Sequence, residues 1–148
     1  MGDNQVPYKF LDDIATADVA FEAWGNTLEE LFAAGADALL HTMVHDPEAV
    51  ERREEMAVAV EDAALDLLLF SFLQELVFLK DARLLLLHPE TVRIAENDGR
   101  FRLDSVLRGE RIDRQRHPLV VDVKAATLHR LRVACESGIW RAVVVLDV

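Results

Sequence analysis

The feature that most constrains the fold is an almost continuously apolar stretch from Leu65 to Leu79. Four polar side chains interrupt it, Asp66, Ser71, Gln74 and Glu75. They make the stretch too polar, and its length makes it too short, to span a bilayer. Asp62 is placed to cap a helix that runs to about Lys80 and is apolar almost all round. Because such a helix must be covered on most sides, we expect it to be the central buried helix of a globular domain.

The first third of the chain alternates strand and helix signals. Residues Asp18 to Trp24 alternate in the manner of a β-strand, and a second strand is expected over Glu54 to Glu61. Between them, Thr27 and Glu30 form a capping box that opens a helix through about Val44. Five residues share the core-facing side of that helix, Leu28, Leu31, Phe32, Gly35 and Leu39.

The remainder of the chain is typical of β-structure. Thr91 to Glu96 and Arg100 to Glu110 flank Asp98-Gly99, the strongest short signal for a hairpin. Two further strands are expected over Leu128 to Ala134 and Ile139 to Leu146. Helices grouped early and strands grouped late predict a single α+β domain over residues 1–148, with two helices packed on a mostly antiparallel sheet.

Charge and cysteine content narrow the classes of function. The chain has 148 residues and a net charge of −11. Residues 1–82 hold 18 acidic against 4 basic side chains, and residues 83–148 hold 9 against 12. An acidic body argues against broad nucleic-acid binding, and solubility is its commonest explanation; a cation or a basic partner surface that meets the first half is the more specific one. One cysteine and an N-terminus without signal-peptide character lead us to expect a cytoplasmic protein that does not act at a membrane.

Histidine and cysteine chemistry is not favoured. Asp37, His41 and His45 stack on one helix face at a spacing that suits zinc, but that face lies opposite the apolar stripe, so solvated helix surface is the preferred interpretation. Cys135 is expected to be a packed thiol, and His117 to be ordinary loop chemistry. The common nucleotide-binding and acyl-transfer motifs are absent from the sequence.

Aspartates are the better candidates for a functional site. Asp12, Asp13 and Asp18 lie close together without basic neighbours, and Asp147 with Val148 adds oxygen ligands at the chain end. A set of oxygens selects hard ions such as Ca²⁺ or Mg²⁺. Taken alone, Asp12 and Asp13 are ordinary turn residues. Asp18 is a stronger candidate for a metal ligand only if its segment and the segment of Asp147 and Val148 are neighbours in space.

An ordered set of short segments over nearly the whole chain resembles the archease family. No single segment is decisive, and the specificity lies in their order, their spacing and the chain end. The segments are Tyr8–Asp12, Thr16–Val19, Ala23–Gly25, Thr27–Phe32, Val50–Glu55, Phe72–Leu76, Gly109-Glu110, Arg116-His117, Val123–Thr127, His129 and Leu146–Val148.

The resemblance implies a small α+β protein that is not an enzyme but a protein cofactor of RtcB-type RNA ligase. Such a protein promotes guanylylation and repeated turnover of the ligase in tRNA splicing and RNA repair. The implied metal ligands are Asp18, Asp147 and Val148, with Ca²⁺ as the expected ion and Mg²⁺ or Mn²⁺ as alternatives. The implied partner surface comprises Lys124, Asp12, Asp13 and His129. Neither the resemblance nor the composition fixes an oligomeric state.

The sequence departs from the family pattern at one place. The family reads Asp-His-Thr-Ala-Asp where this chain runs from Asp12 to Asp18, two residues longer and without the histidine. Two other functions are kept as alternatives. One is a chaperone-like modulator of other nucleic-acid enzymes. The other is a small metal-dependent hydrolase that uses Asp12, Asp18 and Asp147, for which the sequence offers no neighbouring general base.

Overall fold

The chain forms two antiparallel β-sheets and two long α-helices. The structure is a computed structural model that describes residues 6–11 and 18–148. It confirms the α+β class and divides the expected sheet into two. The elements are β1 Tyr8–Leu11, β2 Asp18–Gly25, α1 Leu28–Met43, β3 Glu54–Asp62, α2 Leu65–Arg83, β4 Leu85–Asn97, β5 Arg100–Arg111, β6 Ala125–Ala126, β7 Arg132–Glu136 and β8 Ile139–Asp147, with a short 3-10 turn at Pro47–Ala49.

The last strand, β8, organises the larger sheet. It pairs with β2 along one edge and with β6 and β7 along the other, and β2 pairs with β1 on its far side. The smaller sheet has the order β3-β5-β4. The segments β1 and β6 were not expected from the sequence, because both are too short to show an alternating pattern.

Helix α1 begins and ends as its sequence predicts. The Thr27 side chain accepts a hydrogen bond from the Glu30 backbone N–H at 3.1 Å, and the Glu30 carboxylate accepts one from the Asn26 N–H at 2.9 Å. The expected face is buried at Leu31, Phe32 and the other core positions. The helix packs against β2 of one sheet and β4 of the other, so it links the two sheets.

Helix α2 differs from expectation at its start and on one side. Its N-cap is Ala64, which provides no side-chain hydrogen bond. Asp62 is instead the last residue of β3, and its carboxylate accepts from the Ala63 N–H and the Ser71 hydroxyl. Phe72 stacks on Phe32 with ring centroids 6.4 Å apart, whereas Phe78 is 58% exposed. Helix α2 is therefore buried on one side and exposed on the other. No helix of the described residues is long and apolar enough to cross a membrane.

The β-region confirms the hairpin and shortens one strand. Asp98 and Gly99 have φ values of 55° and 77°, the left-handed backbone that a two-residue hairpin turn requires. The strand expected from Leu128 begins only at Arg132. The preceding residues form a turn in which Arg130 has a φ of 57°, so the apparent alternation there is not β-structure.

Gly109 allows the closest approach between strands of the smaller sheet. A Cβ atom at this position would lie 1.8 Å from the backbone oxygen of Leu86 on β4. Backbone atoms cannot move aside as a flexible side chain can, so only glycine fits here.

We expect Gly109→Ala to lower the free energy of unfolding by about 3 kcal/mol or more, because the added methyl group overpacks against backbone. Gly35→Ala is the matched control. Its Cβ would meet Leu69 at an ordinary 3.5 Å, and alanine favours the helix by about 0.5–1 kcal/mol. Urea denaturation of both variants tests this, and equal stability of the two would contradict the close approach.

Candidate functional site

The start of β2 and the end of β8 meet at one end of the larger sheet. Asp18, the first residue of β2, lies directly opposite Asp147, the last residue of β8, in the antiparallel register. Side chains alternate between the faces of a strand, so Asp18 lies on the face opposite Phe21, and Asp147 on the face opposite Leu146. Both carboxylates therefore stand on the outer face of the sheet, side by side.

Lys124 and Val148 complete this end of the sheet, which we call the tip and define as Asp18, Lys124, Asp147 and Val148. The Lys124 backbone N–H donates to the Asp147 carbonyl at 2.8 Å, and Ala125 lies opposite Asp147 in the register. Val148 is half-buried and packs against the core. Val148, which follows Asp147 directly, therefore lies at the same end of the sheet as the two aspartates.

The donor set at the tip suits a hard cation. Hard cations prefer oxygen ligands, and the carboxylates of Asp18 and Asp147, together with a terminal carboxylate, are of this kind. Two like charges directly opposite each other in a sheet also destabilise the pair, so a bound cation would relieve their repulsion. The main-chain carbonyl of Asp147 accepts the Lys124 N–H, and the carboxylates of Asp18 and Asp147 are the side-chain oxygens of the tip. Across residues 6–11 and 18–148, no group of three His, Cys, Asp or Glu side chains is arranged to hold a metal. The described residues therefore supply two side-chain carboxylates at the tip, those of Asp18 and Asp147.

The other predicted partner residues are placed less closely. His129 is exposed in the turn after Thr127, and its backbone N–H donates to the Thr127 hydroxyl at 3.3 Å. Thr127 in turn binds the Val145 carbonyl of β8, so this turn is tied to the same strand as the tip. Asp12 and Asp13 lie outside the described residues.

Two interpretations of histidine and cysteine residues were wrong. His45 is exposed as expected, but Asp37 and His41 are half-buried instead of solvated, because β1 packs across this part of α1. His41 Nδ1 lies 3.1 Å from the Tyr8 hydroxyl, and burial raises the pKa of Asp37 to about 6. Cys135 is exposed near the end of β7 and is not a packed thiol.

A buried charged cluster that the sequence did not reveal anchors the loop before the tip. Glu110 and His117 are 4% and 1% exposed, and His117 Nε2 lies 3.0 Å from the Glu110 carboxylate. The Asp113 backbone N–H donates to His117 Nδ1 at 2.9 Å, so His117 Nε2 carries the proton and donates to Glu110. Both ring nitrogens are occupied, which excludes His117 as a general base or metal ligand. His117 does lie in a loop, but the expectation that it is an ordinary loop residue was wrong, because it is buried and hydrogen-bonded through both ring nitrogens.

The charge of Glu110 is held by its hydrogen bonds. Burial alone would raise the pKa of Glu110, but the Glu51 backbone N–H, Arg116 and His117 all donate to the carboxylate and lower its pKa to about 2. Glu110 follows Gly109 on β5, and Arg116 and His117 lie in the next loop, so the cluster joins the smaller sheet to the segment that leads to Lys124.

The geometry defines a class of protein: a small α+β domain that presents an oxygen-rich tip, formed where its second and last strands meet, and no enclosed catalytic cleft among the described residues at that tip. The profile of the archease protein family (MTH1598/TM1083) matches residues 8–148. The chain belongs to the archease family.

Relatives of known sequence and structure agree with this assignment. Protein archease of Thermococcus gammatolerans is 40% identical over 133 residues, 89% of this chain and 93% of the relative. Protein archease of Pyrococcus furiosus is 36% identical over 134 residues, 90% and 94% of the two chains. The solution structure of Methanobacterium thermoautotrophicum protein 1598 superposes with a TM-score of 0.85 at 34% identity, covering 97% of this chain and all of that one.

A more distant structure shows the same fold. The Thermotoga maritima protein TM1083, described as "an archease, possible chaperone", has a TM-score of 0.61 at 21% identity and covers 93% of this chain and 97% of its own.

We expect Glu110→Gln to lower the free energy of unfolding by about 2 kcal/mol at pH 7, because charge-assisted hydrogen bonds are lost. The folded-state pKa is about 2, below the ordinary 4.5, so this contribution is present above about pH 4.5 and is lost as the pH falls through about 2. Urea denaturation of wild type and variant between pH 7 and pH 2 measures the difference. The exposed Glu96→Gln serves as control, and a Glu110→Gln difference that does not change with pH would contradict the charged state.

Proposed function

We propose that this archease-family protein is a non-enzymatic activator of an RtcB-type RNA ligase and binds Ca²⁺ at the tip. The observation that carries the proposal is the register that sets Asp18 opposite Asp147 beside the chain end. Membership of the archease family supports it from a separate direction. Mg²⁺ and Mn²⁺ are the alternative ions, and a cytoplasmic location without direct RNA binding or membrane binding is part of the same proposal.

The tip is suited to present charge to a partner. Asp147 is exposed and Asp18 half-exposed at the end of a sheet whose inner face is packed against helices, so the carboxylates are accessible but held by rigid backbone. The Lys124 side chain is exposed at the same place and gives the tip one positive group. When bound, the cation would neutralise the aspartates, and these residues would hold and orient it towards the ligase.

The chaperone alternative has one observation in its favour, the description of the Thermotoga relative as a possible chaperone. A pull-down that recovers varied nucleic-acid enzymes and no ligase would favour it. The hydrolase alternative is weaker, because the sequence offers no general base next to Asp12, Asp18 or Asp147. Phosphoester turnover that Asp18→Ala abolishes would revive it.

We expect Ca²⁺ to raise the melting temperature of the chelator-treated protein. A hundredfold excess over Kd stabilises the native state by about 2.7 kcal/mol, or about 5–10 °C for a domain of this size. Asp18→Asn, or deletion of Val148, should remove the rise. Without metal, Asp18→Asn should stabilise the protein by about 0.2–1 kcal/mol, because one of two opposed charges is gone.

The matched control for the melting experiment is Asp98→Asn at the hairpin turn. Asparagine tolerates the left-handed backbone there, so this variant should keep both the fold and the Ca²⁺ shift. Scanning calorimetry with and without Ca²⁺ gives the measurement. If wild type shows no shift with Ca²⁺, Mg²⁺ or Mn²⁺, the metal site does not exist.

We expect the protein to increase the number of RNA-joining turnovers per molecule of an RtcB-type ligase, because it promotes repeated guanylylation. Asp18→Asn and Asp147→Asn should each reduce this stimulation by about tenfold or more, while Asp98→Asn leaves it intact. The measurement is the amount of joined RNA per ligase, with ligase limiting. Ligation that stays at a single turnover after the protein is added would refute the activator function.

A further inference from the structure

A second surface, separate in composition from the tip, lies beyond the C-terminal end of α2. It begins as a cavity of about 380 Å³ with a mostly aliphatic lining, which we call the aliphatic pocket. Three of its lining residues, Leu84, Leu119 and Val120, are large apolar side chains that are 48%, 38% and 60% exposed. Exposed apolar side chains gathered in one concavity mark an interaction site more strongly than the same residues scattered singly.

The backbone at the edge of this pocket is held in an unfavourable conformation. Leu84 is the C-cap of α2 and has a φ of 57°, in the left-handed region where glycine is preferred and a bulky side chain is disfavoured. Its Ile112 neighbour is fixed by a backbone hydrogen bond to the Leu84 carbonyl at 2.8 Å. A leucine at this position gains only part of the free energy of full burial, since about half of it faces solvent, and it extends the apolar rim.

The pocket opens onto a shelf of guanidinium groups. A second, wider concavity of about 620 Å³ shares Ile112 and Arg114 with the pocket. We call it the arginine shelf. Its positive lining residues are Arg53, Arg111, Arg114 and Arg116.

Part of the positive charge on the arginine shelf is already neutralised. Glu110 and Asp113 bind Arg116, Arg53 pairs with Glu51 at 2.6 Å, and Glu54 also lines the shelf. Within the described residues, no carboxylate forms an ion pair with Arg111 or Arg114. These two guanidinium groups are therefore the ones available to an anionic ligand, in a protein whose net charge is −11.

An ion cluster formed by a buried lysine and two exposed aspartates also lines the aliphatic pocket. Lys80 is 6% exposed, and its ammonium donates to Asp122 at 2.6 Å, to Asp81 at 2.6 Å and to the Val123 carbonyl at 2.8 Å. All three of its donors are used, so Lys80 offers no free donor to a ligand. An anionic group of a ligand would therefore pair with Arg114, and an apolar group would contact the aliphatic side chains that line the pocket.

We propose that the aliphatic pocket and the arginine shelf together bind an acidic peptide segment of a partner protein, with aliphatic side chains in the pocket and carboxylates on Arg111 and Arg114. The planar guanidinium fork matches a carboxylate in a bidentate arrangement. No aromatic ring lines either concavity in the described residues, whereas proteins that bind single-stranded nucleic acids commonly stack the bases on aromatic side chains. The lining therefore favours a peptide over a nucleotide or RNA.

This surface stands independently of the ligase proposal. It lies on the segment that leads to the tip, since Asp122 of the pocket is followed by Val123 and Lys124. The peptide proposal uses neither the metal nor the ligase, so either proposal can fail while the other holds.

The test is a nuclear magnetic resonance titration of the isotope-labelled full chain, which detects weak binding. The probe is a capped six-residue peptide of alternating glutamate and leucine. Matched peptides replace glutamate by lysine or leucine by serine, and oligouridine is the nucleic-acid probe. We expect saturable shifts, with the acidic aliphatic peptide alone, at the backbone amides of Leu84, Ile112, Arg114 and Val120.

Variants then assign the two halves of the surface. Arg114→Gln should weaken binding of the acidic aliphatic peptide by about tenfold, and Val120→Ser by about threefold. Matched exposed positions elsewhere, Arg93→Gln and Leu128→Ser, should leave the affinity unchanged. Near-identical wild-type and variant spectra without peptide show that each variant is folded.

Three results would overturn the peptide proposal. The first is the absence of shifts at these amides at millimolar acidic aliphatic peptide. The second is equal binding of the lysine-containing or serine-containing peptide, since charge or apolar contact alone would then suffice. The third is tighter binding of oligouridine at the same amides, which would make the surface a nucleic-acid site.

Discussion

The structure depends most on the register between β2 and β8. Phe21 lies opposite Val144, and Ala23 opposite Ala142, and all four are buried on the inner face of the sheet. A slip of one residue would turn these side chains to solvent, so the hydrophobic core fixes the register strongly. The same register sets Asp18 opposite Asp147. The position of the two carboxylates is therefore a consequence of core packing, although neither aspartate belongs to the core.

The β8 strand also explains how a chain terminus can form part of a site. Chain ends are commonly frayed, but β8 is the strand from which β2, β6 and β7 are paired, and Val148 still contacts the core. The end of the chain is held by hydrogen bonds on both edges of its last strand. Rigid backbone on each side is what lets short aspartate side chains form a defined tip without any enclosing loop among the described residues.

Lys80 connects the core to the segment that completes the tip. Burial alone would lower the pKa of this lysine, but the hydrogen bonds that its ammonium donates to Asp122 and Asp81 outweigh that effect and raise it. The ammonium also holds the Val123 carbonyl, immediately before Lys124. A buried charge costs free energy unless its donors are paired, so the bonds of Lys80 help to fix the 121–124 segment, which has no strand structure.

The sequence predicted elements whose signals are local and missed those that depend on distant partners. The Thr27 cap, the Asp98-Gly99 turn and the alternation from Asp18 each lie within a few residues, and the structure confirms them. By contrast β6, the Ala64 cap of α2 and the contact of His117 with Glu110 exist only because other parts of the chain close against them. Local periodicity carries no information on such contacts.

The candidate site divides in the same way. The residue types could be chosen from the sequence, because aspartates without basic neighbours suggest a cation. The proximity of Asp18 and Asp147 could not be predicted, because it requires pairing of β2 and β8, which lie far apart in the sequence. For the Glu110–His117 pair, neither the role nor the contact could be recognised from the sequence. Its members looked like ordinary strand and loop residues, and only the fold removes water from around them. Where function rests on side chains brought together by strand register, sequence indicates the chemistry, and the core determines the geometry.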